Sequence, residues 1–195
     1  MRPKLTEHEQ MTIEEFLAFT AERPDNERWE LIEGVAILNA SPTYWHQIIA
    51  NNIGTLLNNI RRTRKATWRP LQGIGTRVPA APRSLPQPDV MVMERSGGDS
   101  SVAEEALVLF EILSKSNTRT DQAWRRRVYA SIANCQHYVV VDQDRPTITR
   151  YDRATDWGSV QYRSLSETLV LPALRAKLPL VDIYDGVDVA DNDGT

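Results

Sequence analysis

The sequence predicts a mixed α/β fold, in which a central mixed sheet is flanked by helices. Segments with apolar residues at helical spacing alternate along the chain with short apolar runs that are typical of buried strands. The length of 195 residues fits one domain, because a domain averages roughly 150 residues. The chain contains no run of about 18 uncharged apolar residues, so we expect no membrane-spanning helix.

The folded domain should span residues 12–187, between an N-terminal extension (residues 1–11) and a disordered acidic tail (residues 188–195). The tail lacks apolar periodicity and should fray. The first residues lack the apolar segment of a secretory signal, which predicts a cytoplasmic protein. The lone cysteine, Cys135, cannot form an internal disulfide, and we expect it to pack at a helix end.

The first half of the chain predicts two helices and a hairpin. Thr12 and Glu15 form a capping-box pattern, which predicts a short helix. Two apolar runs separated by Glu33-Gly34 predict a tight hairpin. Ser41-Pro42 predicts the start of a long helix, with the proline at its first position. That helix should end near Lys65, and its buried stripe should contain Tyr44, Ile48, Ile53, Leu56, Leu57 and Ile60.

The second half of the chain predicts most of the sheet. A helix is expected over residues 118–133, with Trp124, Val128 and Ile132 on its buried side. Besides two strands that carry acids, the expected strands cover residues 66–69, 74–78, 138–142, 147–151 and 160–164.

Two short apolar strands each carry one acid that faces inward. Asp89 lies in the run Pro88–Met93, and Glu111 lies in the run Ala106–Ser114. A carboxylate among aliphatic side chains is costly to bury unless it holds a positive partner. Two carboxylates on adjacent strands repel one another unless a cation lies between them, and Mg²⁺ or Mn²⁺ prefers such oxygen ligands. The alternative is structural, with Asp89 capping a turn and Glu111 paired with an arginine.

The charge distribution is uneven, although the formal net charge is only −3. The N-terminal 33 residues and the C-terminal 14 residues each carry −5, so residues 34–181 carry +7. A basic middle segment is a possible footprint for a polyanion such as DNA, but scattered surface arginines give the same number. The basic cluster of Arg61, Arg62 and Lys65 suits either DNA contact or the C-terminal end of its helix. Gly-rich phosphate loops, nucleophile elbows and Cys/His metal clusters do not occur.

Motifs spread along the chain resemble one known family. They are, in chain order, Glu30-Leu-Ile-Glu-Gly34, Ser41 with His46, Pro88-Asp89-Val90, Glu111-Ile-Leu-Ser114, Asp121, Tyr129 and Tyr138-Val-Val-Val-Asp142. In these residues, from about Thr12 to Val187, the chain resembles the Uma family of restriction-endonuclease-like proteins, a bacterial branch of the PD-(D/E)XK nuclease superfamily. The resemblance implies a restriction-endonuclease-like core with a metal site at one end of two neighbouring strands.

The resemblance also implies roles for individual residues. Asp89 and Glu111 would hold one or two Mg²⁺ (or Mn²⁺) ions, and Glu30 could supply a third carboxylate. A surface position in the hairpin is the alternative for Glu30. His46 matches the histidine of the family and could steady a carboxylate or a substrate phosphate, while a structural hydrogen bond is its alternative.

The chain departs from the superfamily pattern at the catalytic lysine. The usual lysine position, two residues after Glu111, holds Leu113. The family lysine four residues after Asp121 is replaced by Arg125, which keeps the charge but cannot release a proton. Lys115 stands where the family normally has proline. Three interpretations remain open: Arg125 supplies the cation, Lys115 has replaced it, or the site is inactive.

The function expected from this resemblance is Mg²⁺-dependent hydrolysis of phosphodiester bonds in DNA. Arg126, which follows Arg125 in a run of three arginines, is expected to contact the substrate. A homodimer is expected, because cleavage of both strands of a duplex requires two sites. The alternative is a catalytically degenerate module that retains the fold and binds nucleic acid or a protein partner, so enzyme activity stays an open question here.

Overall fold

A computed structural model describes residues 10–24, 26–94, 100–114 and 118–189. Its helices are α1 (Ile13–Ala21), α2 (Tyr44–Arg64), α3 (Arg119–Ala130) and α4 (Leu180–Ile183). Its strands are β1 (Arg28–Ile32), β2 (Val35–Asn39), β3 (Arg69–Leu71), β4 (Gly75–Thr76), β5 (Val90–Met93), β6 (Val102–Ala103), β7 (Val108–Leu113), β8 (His137–Asp142), β9 (Ile148–Asp152), β10 (Gly158–Tyr162), β11 (Thr168–Leu171) and β12 (Ala176–Pro179).

A six-stranded mixed sheet lies at the centre of the described chain, with the strand order β10-β9-β8-β7-β5-β3. Strands β7 and β8 are parallel, and α3 lies in the crossover connection that a parallel pair requires. The other neighbouring strands are antiparallel. This architecture confirms the predicted mixed sheet with flanking helices.

Helices cover the sheet on both faces. Successive residues of its strands point to opposite faces, so the apolar strands present side chains that need burial on each face. Val90 and Val92 of β5 pack in one core with residues of α2 and α4. Met91 and Met93 pack in a second core with residues of α3. On β7, Leu109 and Leu113 belong to the core beside α3. Glu111, which lies between them in the alternation, therefore faces α3.

The expected N-terminal helix and hairpin are both present. Thr12 is the N-cap of α1, and its reciprocal hydrogen bonds with Glu15 complete the predicted capping box. Strands β1 and β2 form the predicted antiparallel hairpin around Glu33-Gly34. Gly34 has a φ of +81°, a backbone conformation that glycine adopts without steric cost.

The start and the buried face of α2 differ from the prediction. Thr43 is the N-cap, because its side chain accepts a hydrogen bond from the N–H of His46, so Pro42 lies before the helix. Tyr44 is 82% exposed instead of buried. The buried side chains of α2 are His46, Ile49, Ala50, Ile53 and Leu57.

The strand expected over residues 66–69 begins later, at Arg69. Lys65 takes the left-handed conformation that ends α2, and the N–H of Ala66 still bonds to the carbonyl of Arg61. The chain therefore reaches the sheet only three residues after Ala66, as β3. Strand β4 covers only two residues of the segment 74–78 that was expected to be extended.

The predictions for the two chain ends lie mostly outside the described residues, which exclude residues 1–9 and 190–195. Among the described residues, none of the helices combines the length and the apolar character needed to cross a bilayer. Cys135 is buried just beyond the end of α3, as expected for a packing residue.

Candidate active site

Antiparallel pairing of β5 with β7 brings Asp89 and Glu111 together. Val90 is the partner of Phe110 in this ladder, so Asp89, the residue before β5, lies opposite Glu111. The N–H of Asp89 donates to the carbonyl of Phe110 at 3.1 Å. Oδ2 of Asp89 accepts a hydrogen bond of 2.8 Å from the N–H of Ile112. The acid is thereby fixed to both ends of the Glu111 peptide unit.

Positive and polar groups from two other elements surround Asp89. Nε2 of His46, on α2, lies 3.2 Å from Oδ1 of Asp89, and a guanidinium nitrogen of Arg28, on β1, lies 3.5 Å from the same oxygen. Burial acts to raise the pKa of Asp89, but the hydrogen bond and charge of His46, the N–H of Ile112 and the charge of Arg28 lower it below its usual value. Asp89 is therefore held as a carboxylate.

Glu111 has the opposite electrostatic environment, although Arg125 is close to it. A guanidinium nitrogen of Arg125 donates to Oε1 of Glu111 at 2.9 Å, and the Tyr129 hydroxyl donates to the same oxygen at 2.6 Å. Burial, together with the charges of Asp89 and Glu30, raises the pKa of Glu111 to about 8, against the lowering effect of Arg125. Burial therefore outweighs the adjacent Arg125 charge, and Glu111 keeps a proton to higher pH than an exposed glutamate does.

Glu30 is also part of this cluster and is buried in β1, with 3% of its surface exposed. Both of its carboxylate oxygens accept hydrogen bonds from one guanidinium nitrogen of Arg125, at 3.0 and 2.8 Å. The backbone N–H of Gln87 donates to Oε1 at 2.6 Å, and the Asn39 side chain donates to Oε2 at 3.1 Å. Arg125 thus bridges two carboxylates from different sheets.

These side chains line a cavity of about 390 Å³ that opens to solvent between the hairpin and the main sheet. Its lining residues include Arg28, Glu30, Thr43, His46, Gln87, Asp89, Glu111, Ser114, Arg125 and Gln143. The hydroxyl of Thr43, the N-cap of α2, donates to the Gln143 side chain at 2.7 Å. This bond fixes the helix end that carries His46 beside the end of β8.

Two of the expected site residues, Arg126 and Lys115, are not among the described residues that line this cavity. Arg126 is exposed, and its guanidinium carbon lies 5.0 Å from the centre of the Tyr151 ring. One helical residue turns the side chain by about 100°, which explains why Arg125 enters the cavity and Arg126 does not. Lys115 lies outside the described residues.

The structure adds three residues to which the sequence did not assign a role. Tyr129 follows Arg125 by four positions on α3, so both side chains share one helix face. Once Arg125 is assigned to the site, that spacing predicts that Tyr129 lies there too. Arg28 and Gln87 join the site through the hairpin and the segment before β5, and no local pattern marks them.

The carboxylates of the site suit a divalent metal ion that takes few protein ligands. Among the described residues, no group of three or more His, Cys, Asp or Glu side chains is arranged to hold an ion. Mg²⁺ commonly uses only one or two carboxylates, with water and substrate phosphate completing its shell. Asp89 and Glu111 meet this smaller requirement. When all three are ionised, Glu30, Asp89 and Glu111 carry more negative charge than Arg28 and Arg125 together neutralise, which favours a further cation.

Comparisons with known proteins identify a family and a shared fold. The model of the Uma2 family, described as a putative restriction endonuclease, matches residues 13–180. A crystal structure of a putative nuclease belonging to DUF820 from Anabaena variabilis ATCC 29413 matches with a TM-score of 0.71 and 17% sequence identity, covering 89% of this chain and 97% of that chain. At this identity the match shows a shared fold. No curated protein matches the chain. Because the family model covers most of its length, the chain belongs to the Uma2 putative restriction endonuclease family.

Proposed function

We propose that this protein is a divalent-metal-dependent endonuclease that hydrolyses phosphodiester bonds in DNA. The observation that carries the proposal is the pair of acids, Asp89 and Glu111, which lie opposite one another where the ladder between β5 and β7 ends and which line one cavity. Membership of the restriction endonuclease family supports the same reaction class.

Asp89 and Glu111 would hold Mg²⁺ or Mn²⁺. When bound, such an ion polarises the scissile phosphate and lowers the pKa of the attacking water. His46 keeps one Asp89 oxygen oriented, and the N–H of Ile112 keeps the other, so the carboxylate cannot rotate freely. A ligand that is held in place in this way needs less reorganisation when the metal ion binds.

Cations of the site would bind and stabilise the charged substrate. The Arg28 side chain is 33% exposed at the cavity and is the guanidinium most able to meet a phosphate. Arg125 would stabilise the substrate phosphate through its charge and not through a direct hydrogen bond, because Nη1 and Nη2 already donate to protein groups. Lys115 and Arg126 stay in the proposal as further phosphate contacts.

DNA as the substrate is supported by the +7 charge of residues 34–181 and by the family. We also propose a homodimer, because two sites would cleave both strands of a duplex. A cytoplasmic location and a domain spanning residues 12–187 complete the proposal.

The competing candidate is a degenerate nuclease fold that binds DNA or a protein without cleaving it. One observation favours it: Arg125 bridges Glu30 and Glu111 and so supplies a fixed positive charge at the acids. An arginine in place of lysine also cannot exchange a proton with the attacking water.

The discriminating experiment measures Mn²⁺ binding by calorimetry and nicking of supercoiled plasmid in Mg²⁺ or Mn²⁺. We expect the wild type to bind and nick, and the double variant Asp89→Asn/Glu111→Gln to do neither. The matched control replaces two exposed acids, as Glu33→Gln/Asp182→Asn, and should behave as the wild type. Binding of Mn²⁺ without cleavage would select the degenerate candidate.

A further inference from the structure

Glu30 has a bonding pattern that differs from that of the two acids opposite one another. Its carboxylate receives four described hydrogen bonds, two from Arg125, one from the N–H of Gln87 and one from the Asn39 side chain. Both oxygens are engaged twice. A carboxylate oxygen has about two lone-pair sites, so this arrangement leaves Glu30 little capacity for a metal ion.

Arg125 depends on Glu30 for its position. Nη2 donates only to Glu30 among its described bonds, while Nη1 donates to Glu111 and to the Tyr129 hydroxyl. The planar guanidinium is therefore fixed at both ends, by a carboxylate of β1 and by a carboxylate of β7. Because the guanidinium is planar and rigid, acceptors at both of its ends fix its direction as well as its position.

The hairpin holds Glu30 firmly enough to act as this anchor. Glu30 is paired with Ile37 inside the β1–β2 ladder, and it is buried. The bond from the N–H of Gln87 ties the same carboxylate to the segment that leads into β5. The anchor is thus connected through backbone to Asp89, two residues after Gln87.

We propose that Glu30 is a positioning residue, which directs the Arg125 guanidinium at Glu111, and that it is not a ligand of the metal ion. This inference rests on the proposed nuclease function. Glu30 acts on the reaction only through Arg125, by keeping that positive charge beside Glu111 when the substrate phosphate enters. Loss of Glu30 therefore affects the rate and leaves the metal-binding acids in place.

The test compares Glu30→Gln with Asp89→Asn in the full chain, using calorimetric Mn²⁺ binding and the kinetics of plasmid nicking at saturating Mn²⁺. We expect Glu30→Gln to change the Kd for Mn²⁺ by less than about threefold and to lower kcat about tenfold to a hundredfold, as residues behind the ligands commonly do. Asp89→Asn should weaken Mn²⁺ binding by more than about tenfold. Glu33→Gln, the same change in an exposed acid of the same hairpin, is the control for general effects on the hairpin.

A double-mutant cycle distinguishes positioning from a general structural effect. If Glu30 acts through Arg125, Glu30→Gln/Arg125→Ala should be no slower than Arg125→Ala alone, because coupled residues are not additive. Additive losses in kcat would overturn the proposal. A loss of Mn²⁺ affinity in Glu30→Gln as large as in Asp89→Asn would also overturn it and would make Glu30 a ligand. If the wild type binds Mn²⁺ but never nicks DNA, the proposed nuclease fails, and the binding comparison still decides whether Glu30 is a ligand.

Discussion

The Tyr129 hydroxyl donates a hydrogen bond of 2.6 Å to Oε1 of Glu111 inside the protein core. The same oxygen accepts a bond from Arg125, so the lone pairs of Oε1 are occupied by two donors. A metal ion at Glu111 would therefore use the other oxygen. This geometry makes Tyr129 a determinant of how Glu111 is presented to the cavity.

We expect Tyr129→Phe to destabilise the protein by about 1–3 kcal/mol, because it removes one hydrogen bond from a buried carboxylate. Urea unfolding monitored by circular dichroism measures this change. Tyr138→Phe is the matched control, since its buried hydroxyl has no hydrogen-bond partner among the described residues. The control should be neutral or stabilising. Equal losses in the two variants would contradict the importance of the Tyr129 bond.

Replacement of Arg125 should have a larger effect on stability. Arg125→Ala leaves Glu30 and Glu111 buried without their shared cation, and breaking a buried ion pair typically costs about 3–5 kcal/mol. Arg126→Ala, at the next position, should change the free energy of unfolding by at most about 1 kcal/mol, since Arg126 is exposed and contacts only the face of Tyr151 among its described partners. Chemical denaturation of both variants checks the difference, and similar losses would refute it.

The same substitution tests the role of Arg125 charge in cleavage. We expect Arg125→Ala to lower kcat by about two to three powers of ten, as for other lost electrostatic stabilisers. Arg125→Lys should retain more activity, because it keeps a positive charge near Glu111. The plasmid assay at saturating metal measures both rates. If Arg125→Ala leaves the rate unchanged, Lys115 is the catalytic cation instead, and Lys115→Ala should then abolish cleavage.

Stability without metal should depend on the ionisation of Glu111. Its pKa is raised from 4.5 to about 8, so between these values the folded chain binds a proton that the unfolded chain releases. The free energy of unfolding contributed by Glu111 is therefore fully present below pH 4.5 and falls as pH rises through 8. We expect Glu111→Gln to remove this slope when unfolding is measured in EDTA from pH 5 to pH 8. Parallel curves for the variant and the wild type would show that the pKa of Glu111 is not raised.

DNA binding should weaken steeply with salt if residues of the basic segment contact phosphates. The triple variant Arg61→Ala/Arg62→Ala/Lys65→Ala should leave this salt dependence nearly unchanged, because these cations lie about 22 to 28 Å along α2 from His46 and suit the C-terminal end of the helix. Fluorescence anisotropy with a labelled duplex at several salt concentrations measures the slope. A slope reduced by about two to three would place the cluster on DNA.

Local patterns predicted the elements that local forces determine. The capping box at Thr12, the hairpin around Gly34 and the acid-bearing β7 all follow from short sequence signals, and all are present. The predicted start of α2 was wrong because Ser41, Pro42 and Thr43 are all residue types that suit the N-terminus of a helix. The hydrogen bond from the N–H of His46 to the Thr43 side chain shows that Thr43 is the N-cap.

Long-range contacts explain what the sequence could not predict. The carboxylates that hold Arg125 come from 14 and 95 residues away. No spacing rule connects such distant positions. The exposure of Arg126 depends on the rotation of α3 against the sheet, which packing alone decides.

Separation along the chain also has a kinetic consequence. Glu30 and Arg125 meet only after the first hairpin, the sheet and α3 have assembled, and closing so long a loop is slow compared with forming a helix or a hairpin. During refolding, helical circular dichroism should therefore recover before the bond between these two side chains. Molecules that have regained their secondary structure while Glu30 and Glu111 still lack the arginine would not yet have the proposed nuclease activity, so recovery of plasmid nicking would follow recovery of helical circular dichroism.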